Sequence, residues 1–378
     1  MNFGKTKLLF QKIYTKGLFW VFLRLKREVK TPSFKTTKYL MKAFKTAQRW
    51  ICGLFYKDKR VNEDYVTALW DLNEDPMTFD FAFFLVAAEL FAYKNGKNTF
   101  FVQFIRSSDA VEIGPPVDSI LDTSDIRWRF ENIVIPLINL CPACIGYSVS
   151  SHVTSLPELI KGKLVYPDLY DGKYAPRAEY YKEVFHTKEN FVGLRAPIKG
   201  AKYIELWKKF NKIENNMVTI TLRQYNYDPI RNSNIDEWVE FAGFIERQGF
   251  TPVFIPDTFS CYELDKRLDD FIVFRDPCWN VSLRMAMYEG SYLNFFVPNG
   301  PPTIAQLNRD VASIFMKYCV EGSLQSGADV HKNLGLEIGQ RKYGFSREYQ
   351  ILSWQDDKFE NICEEFNKFL VEHPAPVS

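Results

Sequence analysis

Arg223 and Arg231 have the type and setting best suited to holding an anion. The β-forming run Met-Val-Thr-Ile-Thr-Leu over 217–222 ends at Arg223, and the polar loop after it carries Tyr225, Tyr227, Asp228 and Arg231. A guanidinium presents the planar, multi-donor face that phosphate oxygens accept. Further along, an apolar run over 292–297 stops at Pro298, Asn299, Gly300, Pro301, Pro302 and Thr303. Glycine lets backbone approach a ligand closely, and proline is tolerated in a helix's first turn, so free N–H groups are expected there for an anion. Asp257 closes a third apolar run, over 252–256. A salt bridge at Arg223 and plain turn chemistry at Asn299 to Thr303 are the structural alternatives. The two features together point to one shared ligand.

Acids collect at another such place. Asp71 ends the apolar run 65–70, and Glu74, Asp75 and Asp80 follow within the next turn and helix start. A carboxylate held toward a substrate hydroxyl can act as general base, and Asp75 and Asp80 are the candidates, with Arg223 as the third catalytic residue. Helix capping and loop solvation account for the same acids in a structural reading.

The elements that would position these residues alternate. A strand over 65–70, an apolar helix from Phe79 to about Tyr93 and a strand over 99–105 form one strand–helix–strand unit. A helix around 124–140 and a short strand at 143–147 follow, with loops at 150–159 and 168–177. The second half is cleaner. Strands over 217–222, 252–256, 272–274 and 292–297 are separated by helices at 234–248, with Gly249 at its C′ position, and at 281–290. A last short helix runs from the 298–303 turn to about Leu307. The alternation predicts two Rossmann-like αβα domains, residues 61–195 and 196–378, facing a central cleft, with ligands at the carboxyl ends of the strands. The Gly-rich stretch 324–343 reads as a flexible loop over that cleft.

A basic helical segment precedes them. Residues 1–60 hold sixteen Lys/Arg against two acids, a charge of +14, which leaves the remaining 318 residues at −12. Its longest apolar stretch, 17–25, is broken by Arg24 and is far short of the roughly 20 residues that cross a bilayer. Leu, Ile and Phe alternating with Lys suit an anionic membrane surface; docking on the acidic body is the alternative. The acidic body and the lack of a recognised motif argue against nucleic acid. Seven scattered cysteines form no disulfide framework, and Cys141-Pro-Ala-Cys144 has no second ligand pair for zinc, so a structural role is read for it. Aromatics make up 16% of the chain; most belong to the core, and some could form a sugar-stacking surface that composition alone does not locate.

The stretch from Leu283 to Pro301 (a helix, an apolar strand, then Asn-Gly-Pro opening a helix) resembles the C-terminal domain of GT-B glycosyltransferases, most of all the ADP-heptose transferase type. The strand ending at Arg223 is similar to fucosyltransferase-type enzymes. Asn299 stands where the family has a small residue, Pro302 and Ile304 replace a Met-His pair, and the His-Arg and Arg-Arg-Gly-Asp patterns are absent around Arg223. The resemblance implies that Arg223 holds donor phosphate and that Asn299, Gly300 and Thr303 line the donor pocket; Tyr225, Arg231, Asp257 and Pro301 complete the expected set. It also implies that the final helix, about 357–372, packs back across the first domain. No Asp-x-Asp triplet occurs, so no metal and no cofactor are expected, and Arg and backbone donors would stabilise the leaving diphosphate. The expectation is a glycosyltransferase taking a nucleotide-sugar donor and a glycan or lipid-linked acceptor in cell-surface polysaccharide synthesis, peripheral at the cytoplasmic membrane face. The alternatives are a non-catalytic Rossmann-like protein that binds a sugar or partner, and a sugar-nucleotide epimerase.

Overall fold

The computed structural model describes residues 64–106, 123–168 and 177–375; the basic segment 1–60 and the membrane contact read from it lie outside the described residues. Two all-parallel sheets carry the chain. The first holds β1 (Tyr65–Asp71), β2 (Thr99–Ile105), β3 (Cys144–Val149) and β4 (Val165–Tyr166), in the order β3-β2-β1-β4. The second holds β5 (Met217–Thr221), β6 (Thr251–Ile255), β7 (Ile272–Val273), β8 (Leu293–Phe296), β9 (Ser313–Phe315) and β10 (Gln350–Leu352). Its order is β7-β6-β5-β8-β9-β10, so the chain runs outward from β5 to one edge, returns to β8, and runs to the other. That is the doubly wound order, with its switch point between β5 and β8.

In chain order the helices are α1 (Asp80–Lys94), α2 (Thr123–Arg129), α3 (Ile135–Ile138), α4 (Leu156–Leu159), α5 (Arg177–His186) and α6 (Ile198–Phe210). In the second half come α7 (Ile235–Arg247), α8 (Val281–Glu289), α9 (Pro302–Gln306), α10 (Ala328–Asn333) and α11 (Phe359–Glu372). The helix expected over 124–140 is α2 continued through a π turn (Phe130–Val134) into α3. Gly249 takes φ +86° after α7, the left-handed geometry that ends a helix. The elements missing from the sequence reading are the short β4, β9 and β10, of two or three residues each, the helices α5 and α10, and α6, which leaves large apolar side chains in water; the loop expected over 150–159 also contains the short helix α4.

Two expectations are corrected. The final helix α11 packs on α7 of the second domain, not on the first. Phe366 meets Phe241 and Phe250, and Phe369 meets Tyr292, because the apolar stripe of α11 finds the face of the second sheet opposite α8. Residues 324–343 are folded rather than a loose cover. They form α10 and stack Tyr343 on Phe185 of α5 (4.6 Å, 5° between planes), and the next residue, Gly344, donates its N–H to the Phe185 carbonyl (2.8 Å).

Between the sheets the chain is stitched by polar contacts set in an apolar interior. Helix α1 is apolar on every side and is buried accordingly. Its one internal acid, Glu89, is fully buried and accepts hydrogen bonds from Val192 N–H (2.6 Å) and Gly193 N–H (3.1 Å) of the linker. Gly193 is left-handed (φ +70°), and a Cβ there would lie 2.2 Å from the Leu307 carbonyl. Beyond it, Arg195 N–H donates to Leu140 O (2.6 Å) while the Arg195 guanidinium meets Asn308 and Asp310. One core cluster runs through both sheets, from Val66 and Val102 to Met217, Val253 and Phe296.

Burial raises the Glu89 pKa against the hydrogen bonds that lower it. The folded chain therefore keeps this proton to a higher pH than the unfolded chain. Its contribution to stability falls as pH rises from about 4.3, the unfolded carboxyl value, through the raised folded one. Glu89→Gln places an amide NH2 against a linker N–H and is expected to cost about 1–3 kcal/mol in urea unfolding. The difference between wild type and this variant should shrink with rising pH across that window; a pH-independent difference would remove the titration from the account.

Candidate functional site

Arg223 follows β5 and is 2% exposed. Its backbone and the Ser233 backbone and hydroxyl close the base of the 224–232 loop (Arg223 N–H to Ser233 Oγ 2.9 Å; Ser233 N–H to Arg223 O 3.0 Å). Its guanidinium then holds the loop from inside, donating to Asp228 O (3.1 Å), to Tyr227 O and to Asn232 Oδ1. Asn232 also receives Tyr225 N–H (3.1 Å) and returns Nδ2–H to Tyr225 O (3.2 Å). All of Arg223's hydrogen-bond acceptors are neutral. Burial, then the nearby Arg231, pulls its pKa down to about 10, opposed by Asp257 and Asp228. The side chain stays charged at neutral pH.

Arg231 reaches from this loop to the next one. Its Nη2–H donates to Pro298 O at 3.1 Å, one residue before Asn299, and Asp228 Oδ2 lies 3.7 Å from Nη1. Its Nε–H is buried and has no hydrogen-bond partner among the described residues. Burial lowers its pKa too. Asp228, left-handed at φ +53°, is fixed by Ser323 Oγ–H (2.6 Å), and Gln325 Nε2–H reaches Tyr227 Oη (3.0 Å). Asp357, missed in the sequence reading, braces the same region. It accepts from Trp238 Nε1–H (2.9 Å), from Asn234 N–H (2.9 Å) and from Lys317 Nζ (3.2 Å). Asp257 caps the turn after β6, accepting from Phe259 N–H (3.1 Å), with Gln224 N–H at 3.4 Å.

Arg223, Tyr225, Arg231 and Asp257 are thus gathered at the carboxyl ends of β5 and β6, and Asn299 and Gly300 stand beside them at the end of β8. The switch point lies between these loops. The anion-binding helix start expected at Gly300 is corrected. Gly300 N–H is taken by Asn299 Oδ1 (2.8 Å), Pro301 and Pro302 have no N–H, and Thr303 N–H bonds Gly300 O (3.1 Å). Helix α9 has only five residues. The prolines that suit a helix's first turn are the residues that strip it of donors.

The first domain meets this turn directly. A Cβ on Gly300 would sit 2.8 Å from the ring of Phe79, the residue before α1. Asp80, next in line, is part-buried, and its carboxylate makes no hydrogen bond or ion pair among the described residues. Asp75 is buried and turned inward, its Oδ2 accepting Asp71 N–H at 2.8 Å, while Asp71 Oδ1 accepts Asn73 N–H. On the far side of the contact, Trp128 of α2 meets Trp279 edge-on (5.4 Å). Tyr262, 77% exposed, and Phe259, 64% exposed, lie along the same rim, at Trp279 and Tyr225 respectively. Cys141 and Cys144 lie apart from all this; burial holds the Cys141 thiol well above its usual pKa and Cys144 at about 11, so both are protonated, structural groups. No cluster of metal-binding side chains occurs among the described residues.

Fold and site define a class: a two-domain parallel α/β protein whose strand-end loops meet, with two buried guanidinium groups at the switch point. This is the architecture the sequence resemblance implied. No family model and no curated protein matches the chain. Among solved structures it is similar to the glycosyl transferase family 9 protein from Veillonella parvula (10% identity, 82% of this chain and 98% of that one, TM-score 0.49). It is similar also to E. coli ADP-heptose LPS heptosyltransferase II (10% identity, 82% and 100%, TM-score 0.42). A third is the iron-containing dodecameric glycosyltransferase TibC from enterotoxigenic E. coli (13% identity, 82% and 77%, TM-score 0.42).

Because Asn232 ties Arg223 to both strands of the loop, Asn232→Ala should cost about 1–3 kcal/mol. Its amide exchange should rise across 224–233 and stay unchanged in β5. Unaltered exchange in that loop would show that Arg223 alone suffices to order it.

Proposed function

We propose that this chain is a metal-independent glycosyltransferase that moves a sugar from a nucleotide-sugar donor to a glycan or lipid-linked acceptor in cell-surface polysaccharide synthesis. The observation that carries the reading is the pair of buried guanidinium groups, Arg223 and Arg231, at the switch point of the second sheet. Arg223 donates only to neutral oxygens, and Arg231, paired at 3.7 Å with an Asp228 that Ser323 also holds, keeps a buried Nε–H without a partner among the described residues. A donor diphosphate placed there would supply the missing acceptors. In the transfer, the acceptor oxygen bonds to the anomeric carbon as the bond to the diphosphate breaks. The charge released onto the diphosphate is stabilised by the two guanidinium groups. The acceptor proton passes to Asp80, whose carboxylate is open where Asp75 is committed to its own loop.

The exposed aromatic rim of Phe259, Tyr262 and Trp279 supports a sugar-bearing acceptor, since aromatic faces stack on the apolar faces of sugar rings. Asn299, Gly300, Pro301 and Thr303 would line the donor sugar. Residues 1–60 would bring the enzyme to an anionic membrane, at its cytoplasmic face.

Thermal shift and saturation-transfer NMR against nucleoside diphosphates and nucleotide sugars are the test. At least one should bind, and Arg231→Ala should weaken it at least about tenfold, as loss of a charge-assisted contact does. With a competent donor and acceptor, Asp80→Asn should lower turnover about 10²–10⁴-fold while leaving donor binding intact. Absence of binding by every nucleotide would sink the reading, and binding of sugars alone would favour the non-catalytic alternative.

A further inference from the structure

Helix α6 presents an outward face that the rest of the fold touches at its edge, where Tyr203 Oη–H donates to Asp276 Oδ2 (2.7 Å). At about 100° per residue, its exposed residues Ile198, Lys199, Lys202, Tyr203, Glu205, Leu206, Lys209 and Phe210 fall within one arc of roughly 160°. The opposite side is pinned: a Cβ on Gly200 would lie 3.3 Å from Ala286 of α8, Ile204 is buried, and Trp207 packs on Phe274 at 4.4 Å. The helix has no freedom to roll its apolar residues inward. Ile198 is 88% exposed, Phe210 86%, Leu206 57% and Tyr203 42%. Lys199, Lys202 and Lys209 stand between them on the same arc, and the acids lie at its two margins, Glu205 on one side and Asp276, bonded to Tyr203, on the other. This basic face is set on a body that is otherwise acidic, at −12 over residues 61–378.

We infer that the outer face of α6 docks on a bilayer containing anionic phospholipid. Interspersed Lys and large apolar residues suit an interface where apolar side chains enter the acyl boundary and ammonium groups reach the headgroups. They suit a protein partner poorly, because Lys is depleted from the cores of protein interfaces. A helix face about 20 Å long also falls short of the roughly 800 Å² per partner that a stable complex buries. One such helix binds reversibly, and a second basic contact turns weak adsorption into stable anchoring. The +14 segment at residues 1–60 has the charge to be that contact. The inference does not depend on the transferase reading.

The test uses the full chain, floated with vesicles of phosphatidylcholine alone or with phosphatidylglycerol added. Wild type should float with the anionic vesicles only, and Lys199, Lys202 and Lys209 should then be shielded from acetylation. Ile198→Ser, Leu206→Ser and Phe210→Ser combined, and separately Lys199→Glu, Lys202→Glu and Lys209→Glu combined, should each reduce binding about tenfold or more. All six positions are exposed, so both variants should melt as wild type does. Variants that float like wild type, or lysines acetylated equally on vesicles and in solution, would overturn the inference. So would equal binding to neutral vesicles, or a dimer in vesicle-free solution that the serine variant abolishes, which would make a second copy the occupant.

Discussion

The Glu89 carboxylate sits where the first domain's central helix passes the linker, and two consecutive linker N–H groups point into it. A buried carboxylate is costly unless it is hydrogen-bonded, and a buried peptide N–H is costly without an acceptor. The two requirements satisfy each other where the linker lies against α1, with Tyr93 as a further hydrogen-bond partner of Glu89. From that contact the remaining geometry follows in order. Gly193 comes against the Leu307 carbonyl, Leu307 ends α9, and α9 carries Gly300 onto Phe79. The meeting of the two strand-end loops is thus set from a point on the opposite end of α1.

The same economy of polar contacts shapes the candidate site. Arg223 organises its loop through carbonyl and amide oxygens, which hold the guanidinium in place without neutralising it. Carboxylates are present nearby, but Asp257 is spent on a turn and Asp228 is shared between Arg231 and Ser323. A site built this way keeps positive potential in a place of low dielectric, where it acts most strongly on an anion.

The sequence made the β5–α7–β6 unit and the β8 strand plain, because apolar runs were separated by helices of clear period with glycine at a helix end. It also put Arg223 and the Gly300 turn at strand ends. That those ends are neighbours depends on strand order, which alternation alone does not specify. Three kinds of feature stayed hidden. Glu89 is one acid in an otherwise apolar helix and has no pattern to announce it. The strands β4, β9 and β10 are too short to show a period. Helix α6 carries no clear signal because its apolar residues face water, against the rule by which helices are found. The Pro301-Pro302 pair misled for a chemical reason, since tolerance of a helix start and supply of donors are separate properties.

The unbroken core through both sheets bears on how such a chain can change over generations. Domains that touch only through polar surfaces can be traded between genes as modules. Here either half, taken alone, would lose the ring contacts of Trp128 with Trp279, Phe185 with Tyr343 and Phe191 with Phe345, and leave them as apolar surface. The halves must therefore be inherited together and altered in step, and variety in what is bound is left to the loops at the strand ends.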